Sequence, residues 1–486
     1  MKHSISPQQI KSVVKSLYQT ALDAANPYNA VISHIKRKGN ILLIGRSKYN
    51  LSQYKNIYVA GSGKAAAGMG KALEEKLGDL ITKGIISIDY GCGAGIKLKR
   101  IMVNEAGHPL PDKSSVAGAR KIKALLAGTN ANDLVIYLAT GGGSATLTLP
   151  AEGITLKELR DTTRLLLKSG ATLQEMNYVR KHIDLAKGGQ LARDAYPAPI
   201  ITLVISDVVG DPLDMVSSGS TVPDPYTFKD AYEVLKKYSL LNRIPKPVRR
   251  IIETGLKGTI PETPKENEPC FKRAKTILIG SNTMALKAMA QTAKSLGVDV
   301  VVNTEPVIGE ARDVARRHAI NAFKLAKSLS ENGHSSLLSF LQKQESIDWI
   351  PACAGMTNGG FKISSNKPKR PLFILSGGET TVTVKGNGKG GRNQEYTLAF
   401  ILAMERLGFD RFICLSCSTD GIDYIKDATG SMVDGTSLMK ARKIGLNPER
   451  LLNNNDSYHF HKPINTLVKT GPTGTNVNDI QIIVVW

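Results

Sequence analysis

Nowhere in its 486 residues does the chain carry an apolar run approaching the roughly 20 residues that a membrane helix needs, so no membrane-spanning role is expected. Cysteine is scarce as well. The five cysteines (Cys92, Cys270, Cys353, Cys414 and Cys417) are odd in number and scattered, which argues against a disulfide framework. Cys414 and Cys417 form a CxxC, but it lies in the apolar run FICLSCS, and no second pair completes a zinc site. They read as small residues of a buried strand. HExxH and GxSxG are both missing, and His459 and His461 fall in a polar loop that makes a poor metal site. Acidic residues are outnumbered, 42 against 64 basic, which leaves a net charge of +22. The basic residues are spread thinly, with short clusters at IKRKG (35–39) and NKPKR (366–370). No RNP signature or zinc-finger pattern accompanies them, so nucleic acid is not an expected partner, and the excess charge would draw smaller anions. Ile10, Val13, Val14, Leu17 and Leu22 recur at helical spacing near the N-terminus, without the apolar core of a secretory leader, and a cytoplasmic location is expected.

What the chain has in quantity is glycine at the ends of apolar runs. NIYVA (56–60) leads into GSGKAAAGMG, DLVIYLA (133–139) into TGGGSAT, IITLVI (200–205) into SDVVGDP, and TILI (276–279) into GSNTMALKAMAQTAKSLG. Strands alternating with helices in this way predict an α/β fold with a Rossmann-like, mainly parallel sheet covered on both faces. Ligands of such sheets bind beyond the carboxyl ends of the strands, where these turns lie. Prolines 245, 247, 261, 264 and 269 crowd a polar stretch and suggest a boundary between an N-terminal domain (1–260) and a smaller α/β domain (270–486) with a mixed sheet. VDVVVN (298–303), PLFILSGG, TTVTVKG, RFICLSCS and the terminal DIQIIVVW make the last third β-rich, with TTVTV suited to a half-exposed strand. Residues 333–370 lack any sustained period and read as a surface insertion.

The turns carry the candidate chemistry. In the first, Gly61 and Gly63 around Ser62 let backbone N–H groups approach an anion, and Lys64 adds a positive charge. The same string meets a relaxed dinucleotide fingerprint, Gly61-x-Gly63-x-x-Ala66. Gly141, Gly142 and Gly143 followed by Ser144 make a backbone nest for a carboxylate or phosphate. Downstream, Arg180, Lys181, His182 and Lys187 form a basic cluster that suits substrate contacts or a solvated helix face equally. Asp207, Asp211 and Asp214 follow a strand and suit a hydrated Mg²⁺ or a general base, whereas Asp224, between two prolines, reads as a turn residue. Glu379 ends another strand, and GKGGRNQE brings Arg392, Asn393 and Glu395 to a helix start, where the arginine would bind phosphate. Asp420 and Asp423 lie in STDGID, and Asn478 in a glycine- and hydroxyl-rich loop before the final strand. His108, in NEAGHPLPD, stands between two strand–helix units and would line the cleft.

The strings NEAGHPLPD, GGGSATLTLPAEG, SGATLQEMNYVRKHIDLAKGGQLA, SDVVGDPLDMVSSGSTVPDP, SGGETTVTVKG, GGRNQE, STDGID and TGPTGTNVND, in this order, resemble those of the MOFRL-containing glycerate 2-kinase family. The resemblance implies phosphorylation of D-glycerate by ATP with Mg²⁺ to give 2-phosphoglycerate. It also implies two domains facing across a cleft, with Lys64 and Arg392 matching the family's catalytic pair. Tyr424-Ile425-Lys426-Asp427 and Ser220 depart from the family's usual strings. An NAD(P)H-dependent hydroxypyruvate reductase, drawing on the Gly61 turn, is the alternative expectation, and a metabolite-binding regulator a third. A homodimer is left open, with glycerate and ATP as the small-molecule partners.

Overall fold

The computed structural model describes residues 6–332, 349–351 and 371–486, in two compact units: Pro27–Gly280, and Ser281–Trp486 together with Met1–Asn26. Pro27–Gly280 is built on six parallel strands in the order Ile101–Ala106, Ile81–Asp89, Asn56–Ser62, Asp133–Thr140, Ile200–Ile205, Ala274–Gly280. In chain order this is 3-2-1-4-5-6, the doubly wound arrangement. Every residue of Asp133–Thr140 and of Ile200–Ile205 is buried, which is why these strands read as unbroken apolar runs rather than alternating ones. A second cluster packs the helices Leu156–Lys168, Leu173–His182, Phe228–Lys237 and Lys246–Leu256 around Leu166, Phe228, Val248 and Ile252. A three-stranded antiparallel meander, Ile35–Lys38, Ile41–Ile44 and Ser47–Asn50, precedes the main sheet.

The other unit holds a mixed sheet. Its core is the run Asp299–Asn303, Leu372–Thr381, Asp479–Val485, Phe412–Ser418, Gly430–Asp434, with Leu372–Thr381 parallel to Asp299–Asn303 and to Val307–Glu310, and the central pairs antiparallel. Leu372, Ile374, Phe412, Cys414, Ile483 and Val485 pack on the helices Ala311–Asn332 and Arg392–Arg406. Cys414 and Cys417 are buried in a strand, as expected, and both are free thiols.

Three expectations are corrected. The proline-rich stretch is no boundary: Lys246–Leu256 is a packed helix, and Ala274–Gly280 completes the first sheet, so the division falls after Gly280. The N-terminal helix Pro7–Ala25 belongs with the C-terminal residues. Phe373, Leu375, Ile413, Leu415, Ile482 and Val484 alternate with the residues on the first face, so they face the opposite side and are buried there. Pro7–Ala25 and Asn282–Ser295 pack on that sheet, and Tyr18 donates a 2.6 Å hydrogen bond to the Ser418 carbonyl. TTVTV is not a separate strand: its first two threonines end Leu372–Thr381, and the rest is irregular. The expected insertion at 333–370 lies outside the described residues apart from the strand Trp349–Pro351, which pairs antiparallel with Asp299–Asn303.

Candidate functional site

In the unit Pro27–Gly280, the first and fourth strands are neighbours, and the chain order reverses between them. The crevice at such a reversal is where doubly wound sheets take ligands. Both glycine turns meet there. Gly63 has φ +109°, and a methyl group on it would fall 2.3 Å from Thr140 Oγ1, so only glycine fits. The Lys64 N–H donates to the Gly141 carbonyl at 2.9 Å, which ties the two turns together. The triple glycine is crowded on every side. Methyl groups would fall 1.9 Å from Asp207 Oδ2 at Gly141, 3.2 Å from Lys64 Cγ at Gly142 and 1.9 Å from Ser217 Oγ at Gly143. Gly61, Ser62, Gly63, Lys64, Gly141, Gly142, Gly143 and Asp207 are thereby brought together. Lys64 is half-buried, and among the described residues its ammonium makes no hydrogen bond or ion pair with the protein.

A serine network supports the turn. Ser62 Oγ and Ser217 Oγ are 3.0 Å apart, Ser144 Oγ and Ser218 Oγ 2.8 Å, and Ser218 donates to Asn177 Oδ1 at 3.0 Å. Ser217 and Ser218 have φ of 52° and 56°, a strained region for serine that the network holds in place. The basic cluster lies below. Arg180 and Lys187 both donate to the Ser144 carbonyl, at 3.2 and 2.8 Å, and Lys187 also reaches Leu147 O and Asp184. Burial pushes the Lys187 ammonium down to about 8, against the pull of Asp184. Lys181, which the sequence allowed on a solvated face, is fully buried between Asp214 (3.2 Å) and Asp224 (3.1 Å). Asp224 is therefore more than a turn residue: it is a buried anchor, which also accepts from Thr263 at 2.9 Å. Lys181→Met is expected to destabilise this unit by roughly 3–5 kcal/mol, because it leaves the Asp224 carboxylate buried without its cation. Thermal unfolding followed by calorimetry measures it, and an unchanged Tm would count against the anchoring role.

The unit containing Ser281–Trp486 builds a second constellation at Arg392, the first residue of Arg392–Arg406. Its guanidinium grips Asp479 through Nε (2.6 Å) and Nη2 (3.0 Å), and its Nη1 lies 2.8 Å from Glu379 Oε1. Burial opposes that charge, but Asp479 and Glu379 more than offset it and hold the guanidinium above its ordinary value. Asn478 Nδ2 donates to Glu379 Oε2 at 3.0 Å. Asp423 accepts from the backbone N–H groups of Asn393 (3.1 Å) and Gln394 (3.0 Å), the first turn of the helix. Burial pushes its carboxyl up to about 6, against those two hydrogen bonds. Asp420 accepts from Ser418 Oγ at 2.7 Å and the Ile422 N–H at 2.9 Å. Asn393 is held by Ser416 and Asp423. Glu395 stands apart, with its carboxylate between Arg312 (2.7 Å) and Asn455 (3.0 Å). Asp479 was missed as a site residue; its only sequence signal was a place at the end of the TGPTGTNVND string.

Three of the four candidate metal ligands, Asp214, Asp420 and Asp423, accept hydrogen bonds from named protein partners. Among the described residues no three of His, Cys, Asp and Glu converge as a metal cage would need. No helix among them is long and apolar enough to cross a membrane.

Comparison with known proteins places relatives along nearly the whole chain. Residues 13–253 match a family model described as a domain of unknown function (DUF4147), and residues 372–479 match the MOFRL family. A glycerate 2-kinase of Pyrococcus horikoshii is 37% identical over 98% of this chain and 97% of its own. A D-glycerate 2-kinase of Thermotoga maritima is 34% identical, covering 98% of both chains. A relative from Agrobacterium vitis, 35% identical over 98% of this chain and 94% of its own, carries a provisional hydroxypyruvate reductase name. The crystal structure of a Thermotoga maritima glycerate kinase superposes with a TM-score of 0.79 at 33% identity, over 99% of this chain and 100% of its own.

Proposed function

The chain belongs to the glycerate 2-kinase family, and from that premise we propose that it transfers the γ-phosphoryl group of ATP to the 2-hydroxyl of D-glycerate, giving 2-phosphoglycerate. The observation that carries this reading is Lys64: an ammonium without a protein partner among the described residues, set against a triple-glycine turn at the switch point of a doubly wound sheet. Backbone N–H groups and a cation at that place suit a phosphate chain. Phosphoryl transfer asks the protein chiefly for positioning and charge neutralisation. Lys64 supplies a cation for that task beside the triple-glycine turn, and Arg392 is the cation of the second constellation. Gly61, Ser62, Gly63, Gly141, Gly142, Gly143 and Ser144 cradle phosphate or carboxylate, with Arg180 and Lys187 holding the Ser144 carbonyl from beneath.

A Mg²⁺ ion that arrives with a nucleotide needs only one or two protein carboxylates, the remaining ligands being phosphate oxygens and water. Asp207, whose carboxylate lies against Gly141, is the residue we assign to it. Bound there, the ion would neutralise charge on the transferring phosphates. The same reading places the enzyme in the cytoplasm.

Incubation with ATP and D-glycerate, analysed by phosphorus NMR, tests it. The expected product is 2-phosphoglycerate with stoichiometric ADP. Formation of 3-phosphoglycerate would refute the assigned acceptor oxygen. NADH or NADPH oxidation by hydroxypyruvate without any ADP release would instead establish the reductase.

A further inference from the structure

Transfer of a phosphoryl group to an alcohol frees one proton, because the acceptor oxygen exchanges its hydrogen for phosphorus. A basic group beside the acceptor can take that proton, whereas the value of Lys64 lies in its positive charge. The His108 ring lies beside both the Lys64 stem and the triple-glycine turn. A methyl group on Gly142 would lie 3.2 Å from Lys64 Cγ, 3.3 Å from His108 Cδ2 and 3.6 Å from its Nε2. The lysine stem, the Nε2 edge of the ring and the turn backbone therefore share one small space. The other ring nitrogen, Nδ1, lies 3.5 Å from Asp89 Oδ2. Asp89 ends Ile81–Asp89, and His108 stands two residues beyond the adjacent parallel strand Ile101–Ala106. Both residues therefore fall at the same edge of the sheet as Gly63 and Gly141. A histidine backed by a carboxylate on one nitrogen, with its other nitrogen at the binding turn, is the arrangement of an oriented base.

We propose that His108, oriented by Asp89, is the general base that accepts the proton of the acceptor hydroxyl, an assignment that rests on the kinase reading above. In that step the substrate oxygen forms its bond to the γ-phosphorus. The bond from that phosphorus to the β,γ-bridging oxygen breaks, and its electron pair leaves on ADP. The hydroxyl proton passes to His108 Nε2 and later to water.

The surroundings keep the ring in the form a base needs. Burial, and after it Lys64, push the His108 imidazolium below its ordinary 6.5, against the pull of Asp89. Both effects favour the neutral ring, and Asp89 favours the tautomer with hydrogen on Nδ1 and a lone pair on Nε2. Lys64 and Asp89 are the charges that face it. Cys92 and Glu105 lie around that pair, and the Asp112 carboxylate sits against the backbone of Gly107. A base works only when unprotonated, so turnover should fall as pH drops through the His108 titration, below about 6.5.

The test is kcat and KM for ATP and glycerate from about pH 5 to about pH 9, in the wild type, His108→Asn and Asp89→Asn. His108→Asn is expected to lower kcat by about 100-fold or more, to leave both KM values within about threefold, and to abolish the acidic limb. Asp89→Asn is expected to move that limb to lower pH, since the carboxylate that favours the imidazolium is gone. A lesion that only loosened the fold would lower activity without displacing the limb. If the wild type forms 2-phosphoglycerate and His108→Asn keeps its kcat and its acidic limb, the base assignment is overturned and the kinase reading stands. The base assignment is equally overturned if the limb survives in His108→Asn and disappears in Asp207→Asn. Should His108→Asn not fold, Asp89→Asn decides, and an unmoved limb overturns the proposal. A wild type that forms no phosphoglycerate overturns both.

Discussion

Lys64→Ala is expected to lower kcat by about 1,000-fold while leaving the protein folded, the scale seen when a cation neutralising a transferring phosphoryl group is removed. The fold should survive because what Lys64 contributes to it is backbone. Its N–H, which donates to the Gly141 carbonyl at 2.9 Å, is retained in alanine. Its ammonium has no hydrogen bond or ion pair with the protein to lose among the described residues. Lys64→Arg should not restore turnover, since the lysine stem already lies 3.2 Å from where a Gly142 methyl would be, and a planar guanidinium needs more room. Steady-state kinetics and calorimetric unfolding of the same preparations give both readouts. Wild-type kcat in Lys64→Ala would remove the central residue of the proposed mechanism.

Arg392→Ala is expected to cost both turnover and stability, and that combination separates it from Lys64. Asp479 is fully buried and accepts two hydrogen bonds from the guanidinium, so truncation leaves a desolvated carboxylate without its partner. Breaking a buried pair from one side costs roughly 3–5 kcal/mol. A fall in kcat of about 1,000-fold should accompany the lower Tm if the arginine also meets the transferring phosphate. Arg392→Lys is the informative second variant. A lysine keeps one charge against Asp479 but cannot reproduce the two-point grip together with the third contact to Glu379. Part of the lost Tm should return, while kcat stays at least about tenfold below wild type. Full recovery of kcat in Arg392→Lys would mean that charge alone matters, and that the fork geometry has no part in the reaction.

Much of this was readable from composition and order. The strands of the parallel sheet announce themselves because burial on both faces demands unbroken apolar runs, as in Asp133–Thr140. The turns after them announce themselves because Gly63 and the triple glycine pass too close to Thr140, Asp207 and Ser217 for any side chain. Lys64 and Arg392 stood out because each follows such a glycine string. Asp224 was misread for the opposite reason. Two flanking prolines describe its local backbone correctly, but its role comes from Lys181, 43 residues away.

The sequence by itself determined the class of fold, the positions of the glycine turns and the candidate cations, all of which are properties of short stretches. Only the tertiary structure decided which charges meet. Arg392 and Asp479 are 87 residues apart, and nothing local to either names the other. The N-terminal helix shows the same limit: its apolar stripe was plain, but the sheet face it covers is made of residues more than 350 positions later, out to Val484. Periodicity records that a face is buried. Which face lies against it is settled by packing the whole chain, where a stripe, a buried carboxylate and a strand end each find the one partner that removes them from water.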